Sequence, residues 1–387
     1  MLTELYINYG ILIFLILIFI INIINIFSIK KIINNCKVTD ADKLINIKGK
    51  ISVLIPVRNE ENNILKCLNS VLNQEGVEFE LIILNDNSTD NTANILKNIS
   101  NQKVKIIHGK KLEQGWIGKN YACHQLWENS TGDYLLFIDA DTEMKSGGLR
   151  SVMDFIQKEK PDLLSLMPEE ETKTFWEKII IPMLHFTFMN FLPIALVEKT
   201  KSKKLSMSNG QFMLFKRESY ENCGGHKKLK NKIVEDVWFG RLMKQNGMKV
   251  IMANGIDVIK CRMYSNFREI WEGFSKNLFP GLSFSVLSLI NIILIFGGCF
   301  VLPVLFLLTG LINGNSELIL ISGINVFIPV IIRFLQALKF NLPLAYSFLN
   351  FISCLMIILI GLNSLRILKF GKGSQWKGRI YQENEIK

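Results

Sequence analysis

The chain of 387 residues has no C-x-x-C pair, and its seven cysteines (Cys36, Cys67, Cys123, Cys223, Cys261, Cys299 and Cys354) are odd in number. That argues against a disulfide framework or a structural zinc and fits a reducing compartment. No G-x-G-x-x-G follows the first β-rich run and no Walker-type lysine loop occurs, which disfavours dinucleotide and P-loop sites. The formal net charge of +11 comes without helix-turn-helix or zinc-finger spacing, so no nucleic-acid partner is expected. Basic residues beside apolar helices more simply meet anionic lipid head groups.

Apolar sequence is what the chain has in plenty. Residues 11–27 are Ile, Leu and Phe broken only by Asn22 and Asn25; with Tyr9 and Gly10 the run reaches the ~20 residues a spanning helix needs. Glu4, the lack of a preceding lysine and the lack of a small-residue cleavage site make it a signal anchor, not a cleaved signal peptide. Lys30, Lys31 and Lys37 then put the next segment on the cytoplasmic side of the cell membrane. Three further apolar stretches occupy 280–312, 318–332 and 342–365. Three spans there would leave the tail outside, yet Arg366, Lys369, Lys372, Lys377 and Arg379 belong inside, so one stretch is a candidate for an interfacial or re-entrant path. The expected organisation is multi-pass: an anchor over 1–29, a cytoplasmic domain over 50–279, a transmembrane region over 280–367 and a basic cytoplasmic tail over 368–387.

Within the middle part, ISVLIPV (51–57), FELIILN (79–85) and KVKIIHG (103–109) read as strands. Ile64, Leu65, Leu68, Val71 and Leu72 form a helical face between the first two, started by an Asn59 or Asn62 cap, and NTANILKNI a helix between the next two. This βαβ alternation predicts an α/β domain with a mostly parallel sheet and helices on both faces, binding its ligand beyond the carboxyl ends of the strands. Asn59 and Glu60 follow the first strand, and Asp86, Asn87 and Ser88 the second. A fourth strand, 134–141, runs five apolar or aromatic residues into Asp139 and Asp141. On an extended strand both would point one way, their Cα atoms about 6.5 Å apart. Two ionised carboxylates that close call for a divalent cation, Mg²⁺ or Mn²⁺. For each loop taken alone, an acidic strand end or an Asx-type turn is the competing explanation.

Together IPVRNEENN, LNDNSTDNT, FIDADT and VEDVWFG resemble glycosyltransferase family 2, whose members share a nucleotide-binding α/β domain called GT-A. QGWIGKNYAC, GGHKKLKNKIVED, CRMYSNFREIWEGFSKNLF and QWKGRIY are similar to its membrane-bound subgroup acting on carotenoid acids and hopanoids. The resemblance implies that Pro56, Asn59, Glu60 and Asp86 meet the nucleotide of a UDP-sugar, that Lys119 contacts the diphosphate, and that Asp139 and Asp141 hold the metal. It implies Asp236 as catalytic base, paired with Glu235, and Trp116, His226, Trp376 and Arg379 as acceptor or diphosphate contacts, with Lys377 beside them. The competing explanations are a solvated helix start for Glu235 and Asp236, packing for Trp116, a surface position for His226 and a lipid contact for the tail. Processive members carry Q-x-x-R-W; here Gln375 and Trp376 are adjacent within QWKGR, which implies addition of a single sugar, glucose by analogy with the subgroup.

Residues 179–197 carry no formal charge and are long enough to span. Spanning would separate Asp139 and Asp141 from Asp236, so the expectation is helices broken near Pro182 and Pro193, lying in the membrane interface and leading a lipid acceptor to the metal. A buried core helix pair is the alternative. Two rivals come from other classes: a haloacid dehalogenase-type phosphatase, in which Asp139 would be a nucleophile but whose D-x-D normally closes the first strand, and a non-catalytic scaffold retaining the fold.

Overall fold

The computed structural model describes residues 2–34, 49–203, 205–371 and 373–382. Cys36, Lys37, Lys204 and Lys372 lie outside them.

Twelve strands form in chain order: β1 Ile51–Val57, β2 Phe79–Asn85, β3 Val104–His108, β4 Tyr134–Ile138, β5 Thr142–Met144, β6 Leu163–Met167, β7 Glu169–Glu170, β8 Phe212–Lys216, β9 Val250–Asn254, β10 Ile259–Cys261, β11 Ser374–Trp376 and β12 Arg379–Tyr381. Seven make the main sheet, in the order β3-β2-β1-β4-β8-β6-β9. Only β8 runs against its neighbours, β4 and β6; the other pairings are parallel. Along β1 the side chains alternate: Val53, Ile55 and Val57 pack against the helices Ile64–Leu72 and Gly148–Glu159, while Leu54 joins Leu126 and Phe239 on the other face. Both faces are therefore dry, as expected of a parallel sheet covered by helices. At ~1.5–3 kcal/mol for each buried aliphatic side chain, these two layers supply most of the domain's stability.

Four helices are long and apolar enough to cross a membrane: Thr3–Ser28, Val286–Asn313, Ser316–Phe340 and Leu344–Phe370. The second is not uniform, since Phe296–Val301 winds as a π-helix just before Pro303, whose ring cannot donate a backbone bond. The fourth returns to the sheet domain and its appended helices at both ends. Near its start the Tyr346 and Phe175 rings meet at 6.0 Å and Ser353 donates to the Ile179 carbonyl. Near its end Ser364 accepts from the Phe279 amide, and Leu368 packs with Ile117 and Tyr381.

Residues 179–197 break where proline forbids continuation, into Phe175–Ile180, Met183–Phe191 and Ile194–Lys199. They are buried between the sheet domain and the long helices, not laid out on a surface, which corrects the interfacial expectation in favour of a core wedge: Ile179, Ile180, Phe186 and Met189 have no exposed area. Each break strands the carbonyl four residues before the proline, and a long helix answers it. Arg333 donates to the Lys178 and Ile179 carbonyls at 3.1 and 2.9 Å. Asn25 donates to the Met189 and Leu192 carbonyls at 2.8 and 2.7 Å and accepts from the Ile194 amide at 2.9 Å. Asn25→Leu, though a better membrane residue by hydropathy, would orphan these three buried groups. We expect it to destabilise the protein by on the order of 3 kcal/mol, read as a lowered melting temperature in detergent; an unchanged melt would contradict this role for Asn25.

Candidate active site

Strands β1, β2 and β4 end on one edge of the sheet, and their following loops are tied together. Asn59 sits at φ 52°, a left-handed conformation that asparagine tolerates. Its side-chain oxygen accepts from the Thr89 amide at 2.8 Å, while its own amide donates to Ser88. Asn59 thus lines the cavity chiefly as a brace between two loops. Pro56, Glu60 and Asp86 line the same cavity.

β4 stops at Ile138, one residue before the acids. Asp139 and Asp141 lie in a turn closed by the Thr142 amide on the Asp139 carbonyl at 3.0 Å, not on an extended strand, which corrects the geometry expected above. Both still face the cavity. The Lys119 ammonium lies 2.7 Å from Asp139 and 2.8 Å from Glu235, and so bridges the end of β4 to the first turn of the helix Glu235–Gln245. Asp236 accepts from the amides of Gly210 at 3.0 Å and Val237 at 2.7 Å. Gly210 lies directly against this cluster: a Cβ there would make van der Waals contact with the Lys119 ammonium at 3.4 Å and with oxygens of both Glu235 and Asp236 at 3.6 Å.

The charges are unevenly compensated. Asp139 and Glu235 share Lys119, which their charges hold protonated despite its burial. Asp141 has no cation beside it, and burial, with Asp139 next in effect, pushes its carboxyl up to about 7. Asp236 is also pushed up to about 7, by burial and then by Glu235. Among the described residues no three His, Cys, Asp or Glu side chains converge as a ready-made metal cage. Two carboxylates, one of them uncompensated, fit a hard divalent cation that completes its shell with water and phosphate oxygens.

The tail closes over this edge as the β11–β12 hairpin. Arg379 grips Asp86 with two hydrogen bonds, 2.5 and 2.9 Å, and Lys377 pairs with Glu60 at 2.7 Å. Tyr381 accepts from the Gly118 amide, and a Cβ on Gly118 would fall 1.9 Å from the Arg379 guanidinium. Arg379 therefore orients Asp86. It is not among the residues lining the cavity, whereas Lys377 is. Of Trp376 the backbone pairing with Arg379 is described.

Two expected contacts are elsewhere. Trp116 stacks on His124 at 5.1 Å, outside the cavity lining. His226 is fully buried among Phe137, Tyr220 and Phe239, its Nδ1 bonded to the Tyr220 hydroxyl at 2.8 Å, and that burial keeps it neutral. Both are packing residues.

The cavity has a volume of about 960 Å³ and two arms. One is the polar edge just described; the other is lined by Met183, Leu184 and Phe188 of the buried wedge, by Met263 and Phe274 after β10, and by Phe296 of a long helix. Four polar residues in its walls escaped the sequence reading. Glu170 has an oxygen with no hydrogen-bond partner and is pushed up to about 8 by burial; Gln211 neighbours it, its own amide nitrogen also unpartnered. His185 has neither ring nitrogen bonded and is lowered to about 4 by burial. Lys276 also faces the cavity. The only sequence signal for Lys276 was its place in GFSKNLF; Glu170 and His185 had none.

Residues 52–224 match the profile of the family described as Glycosyl transferase family 2. The chain is 27% identical over 243 residues to the 4,4'-diaponeurosporenoate glycosyltransferase of Staphylococcus aureus (strain USA300), a match covering 62% of this chain and 64% of that protein. The protein of the same name from Staphylococcus haemolyticus (strain JCSC1435) is 25% identical over 349 residues, 86% of this chain and 88% of that one. Among solved structures, the mannosyltransferase PcManGT from Pyrobaculum calidifontis, in complex with GDP-Man and Mn²⁺, overlays at a TM-score of 0.49 with 13% identity over 82% of this chain and 87% of that chain.

Proposed function

We propose that the protein is a membrane-bound inverting glycosyltransferase moving one sugar, glucose, from a UDP-sugar to a lipid acceptor such as a carotenoid acid, a reading supported by the match of residues 52–224 to the Glycosyl transferase family 2 profile. One observation carries this reading: a single cavity is lined both by the acidic edge of the sheet and by apolar side chains of the buried wedge, the helix Phe267–Gly281 and the long helices. A nucleotide sugar suits the first arm and a chain-bearing acceptor the second.

In this reading the uridine docks against Asp86, held in place by Arg379, and against Glu60. Asp139 and Asp141 would hold Mg²⁺ or Mn²⁺, which when bound neutralises charge on the diphosphate as it leaves. The acceptor oxygen attacks C1 of the sugar, the C1–oxygen bond to the diphosphate breaks, and Asp236 takes the proton of an acceptor hydroxyl. A positioned base of this kind contributes ~10²- to 10⁴-fold. Lys119, bound to Asp139 and Glu235, keeps the metal-binding turn and the base-bearing helix in register.

The same reading assigns a topology. Tail contacts with Asp86 and Glu60 put residues 377–379 on the side of the catalytic domain, and Leu344–Phe370 meets that domain at both ends. The helices starting at Thr3, Val286 and Ser316 therefore cross, the fourth runs along the domain half-sunk in the bilayer, and the domain faces the cytoplasm. Introduced cysteines tested with an impermeant thiol reagent should label from outside the cell at 314 and stay protected at 343 and 373; labelling at 373 from outside would refute this path.

Leu184→Trp should fill the apolar arm. We expect at least a tenfold loss of transfer to lipid, with UDP affinity and melting temperature unchanged. Undiminished lipid transfer would remove the acceptor from this arm.

A further inference from the structure

Among the described residues, every other lysine and arginine lining the cavity has a partner. Lys119 has Asp139 and Glu235, Lys377 has Glu60, and Arg58 donates to the carbonyls of Asp86 and Asn87. Lys276 is the exception among the described residues. It stands on the amphipathic helix Phe267–Gly281, faces the cavity, and makes no hydrogen bond or ion pair. It lines the same cavity as Asp139, Asp141, Glu235 and Asp236, and the charges that act on it are Lys119, Glu235, Asp139 and Lys377. Burial, then the Lys119 charge, lowers it to about 8, still mostly protonated at neutral pH.

A desolvated ammonium without a counter-charge is costly unless a ligand supplies one. The nearby acids Asp139 and Glu235 pair with Lys119, and neither forms an ion pair with Lys276. What the place lacks is an oxyanion.

We propose that Lys276 is the anion anchor of the reaction centre, binding an oxyanion of the substrates. This rests on the transfer reaction proposed above. That reaction offers two such groups, the diphosphate of the donor and, for an acid acceptor, the carboxylate that attacks C1. In the first role Lys276 adds positive charge beside the leaving group; in the second it aims the nucleophile and selects acids over alcohols.

The test uses the full chain in nanodiscs, as wild type, Lys276→Gln and Lys276→Arg. Binding of UDP and of uridine is measured with Mn²⁺ present, and transfer from UDP-glucose is measured to one long-chain polyene acid and to the matching alcohol. If the diphosphate is the partner, Lys276→Gln weakens UDP at least tenfold, leaves uridine unchanged, and slows both acceptors. If the carboxylate is the partner, UDP binding stays within twofold while kcat/KM for the acid falls at least tenfold and that for the alcohol does not. In either case Lys276→Arg retains most of the function, which a merely structural role would not require. UDP binding and both transfers within twofold of wild type in Lys276→Gln would overturn the proposal while leaving the transferase reading intact. A wild type that neither binds UDP nor transfers sugar would overturn both.

Discussion

Asp236→Asn is expected to lower kcat for a hydroxyl acceptor by ~10²- to 10⁴-fold with UDP affinity unchanged. The substitution keeps the side chain's shape, and the Val237 amide can still donate to an amide oxygen. What it removes is the group able to take a proton. Because burial and Glu235 push Asp236 up to about 7, the wild type should gain kcat/KM as pH rises from 6 to 8, and the variant's residual activity should lack that limb. The same shift has an opposite sign for stability. A carboxyl raised in the fold favours its protonated form, so its contribution is complete below the ordinary carboxylate range and is lost as pH rises through about 7. The ligand-free wild type should therefore melt lower at pH 8 than at pH 5.5, and Asp236→Asn should reduce the difference. An acid acceptor arrives already deprotonated. For it, Asp236→Asn should cost less than tenfold, so the pair of acceptors separates proton transfer from positioning. Equal losses with both would mean that Asp236 positions and does not act as a base.

Withdrawal of divalent cations should cost at least 10³-fold in transfer, about 4 kcal/mol at 1.36 kcal/mol per tenfold. Asp141→Asn should cost about the same, and chelator should add nothing to it. The reason is the uneven compensation of the turn. Asp139 keeps Lys119 with or without metal, whereas Asp141 has no cation of its own and is pushed up to about 7 by burial and by Asp139. The cation that binds there therefore answers chiefly Asp141. Titration of UDP binding should show the wild type tightened by Mn²⁺ and Asp141→Asn indifferent to it. If Asp141→Asn keeps the Mn²⁺ dependence, the metal is held elsewhere.

The elements legible in the sequence are those whose information is local. The strands β1, β2 and β4 carry mostly buried apolar runs ended by polar loops, β3 is a half-buried edge strand, and the helix Ile64–Leu72 carries a one-sided apolar face. Glu60, Asp86, Asp139 and Asp141, whose loops were read as following strand ends, line one cavity, and Asp236, singled out only by the resemblance, lines it from the first turn of a helix. What was not legible depends on partners far along the chain. Hydropathy cannot separate a spanning segment from a buried wedge, and the difference for 179–197 lies in Arg333 and Asn25, more than 140 residues from the carbonyls they serve. Trp116 and His226 sit in motif-like stretches, yet nothing in their neighbours reveals the aromatic packing that claims them. Arg379 was expected as an acceptor or diphosphate contact, and its partner in the structure is the Asp86 carboxylate, a pairing across 293 residues. Lys276 was hidden for a different reason: on an amphipathic helix a lysine ordinarily marks the solvent side.

The most direct test of the central claim is transfer of labelled sugar from UDP-glucose into the lipid extract of membranes expressing the chain, with Mn²⁺, with chelator, and beside an Asp141→Ala control. The account predicts label in one lipid species, dependent on the cation and absent in the control, with a mass of acceptor plus a single hexose. Label that persists with chelator and in Asp141→Ala, or no label from any UDP-sugar supplied, would contradict it.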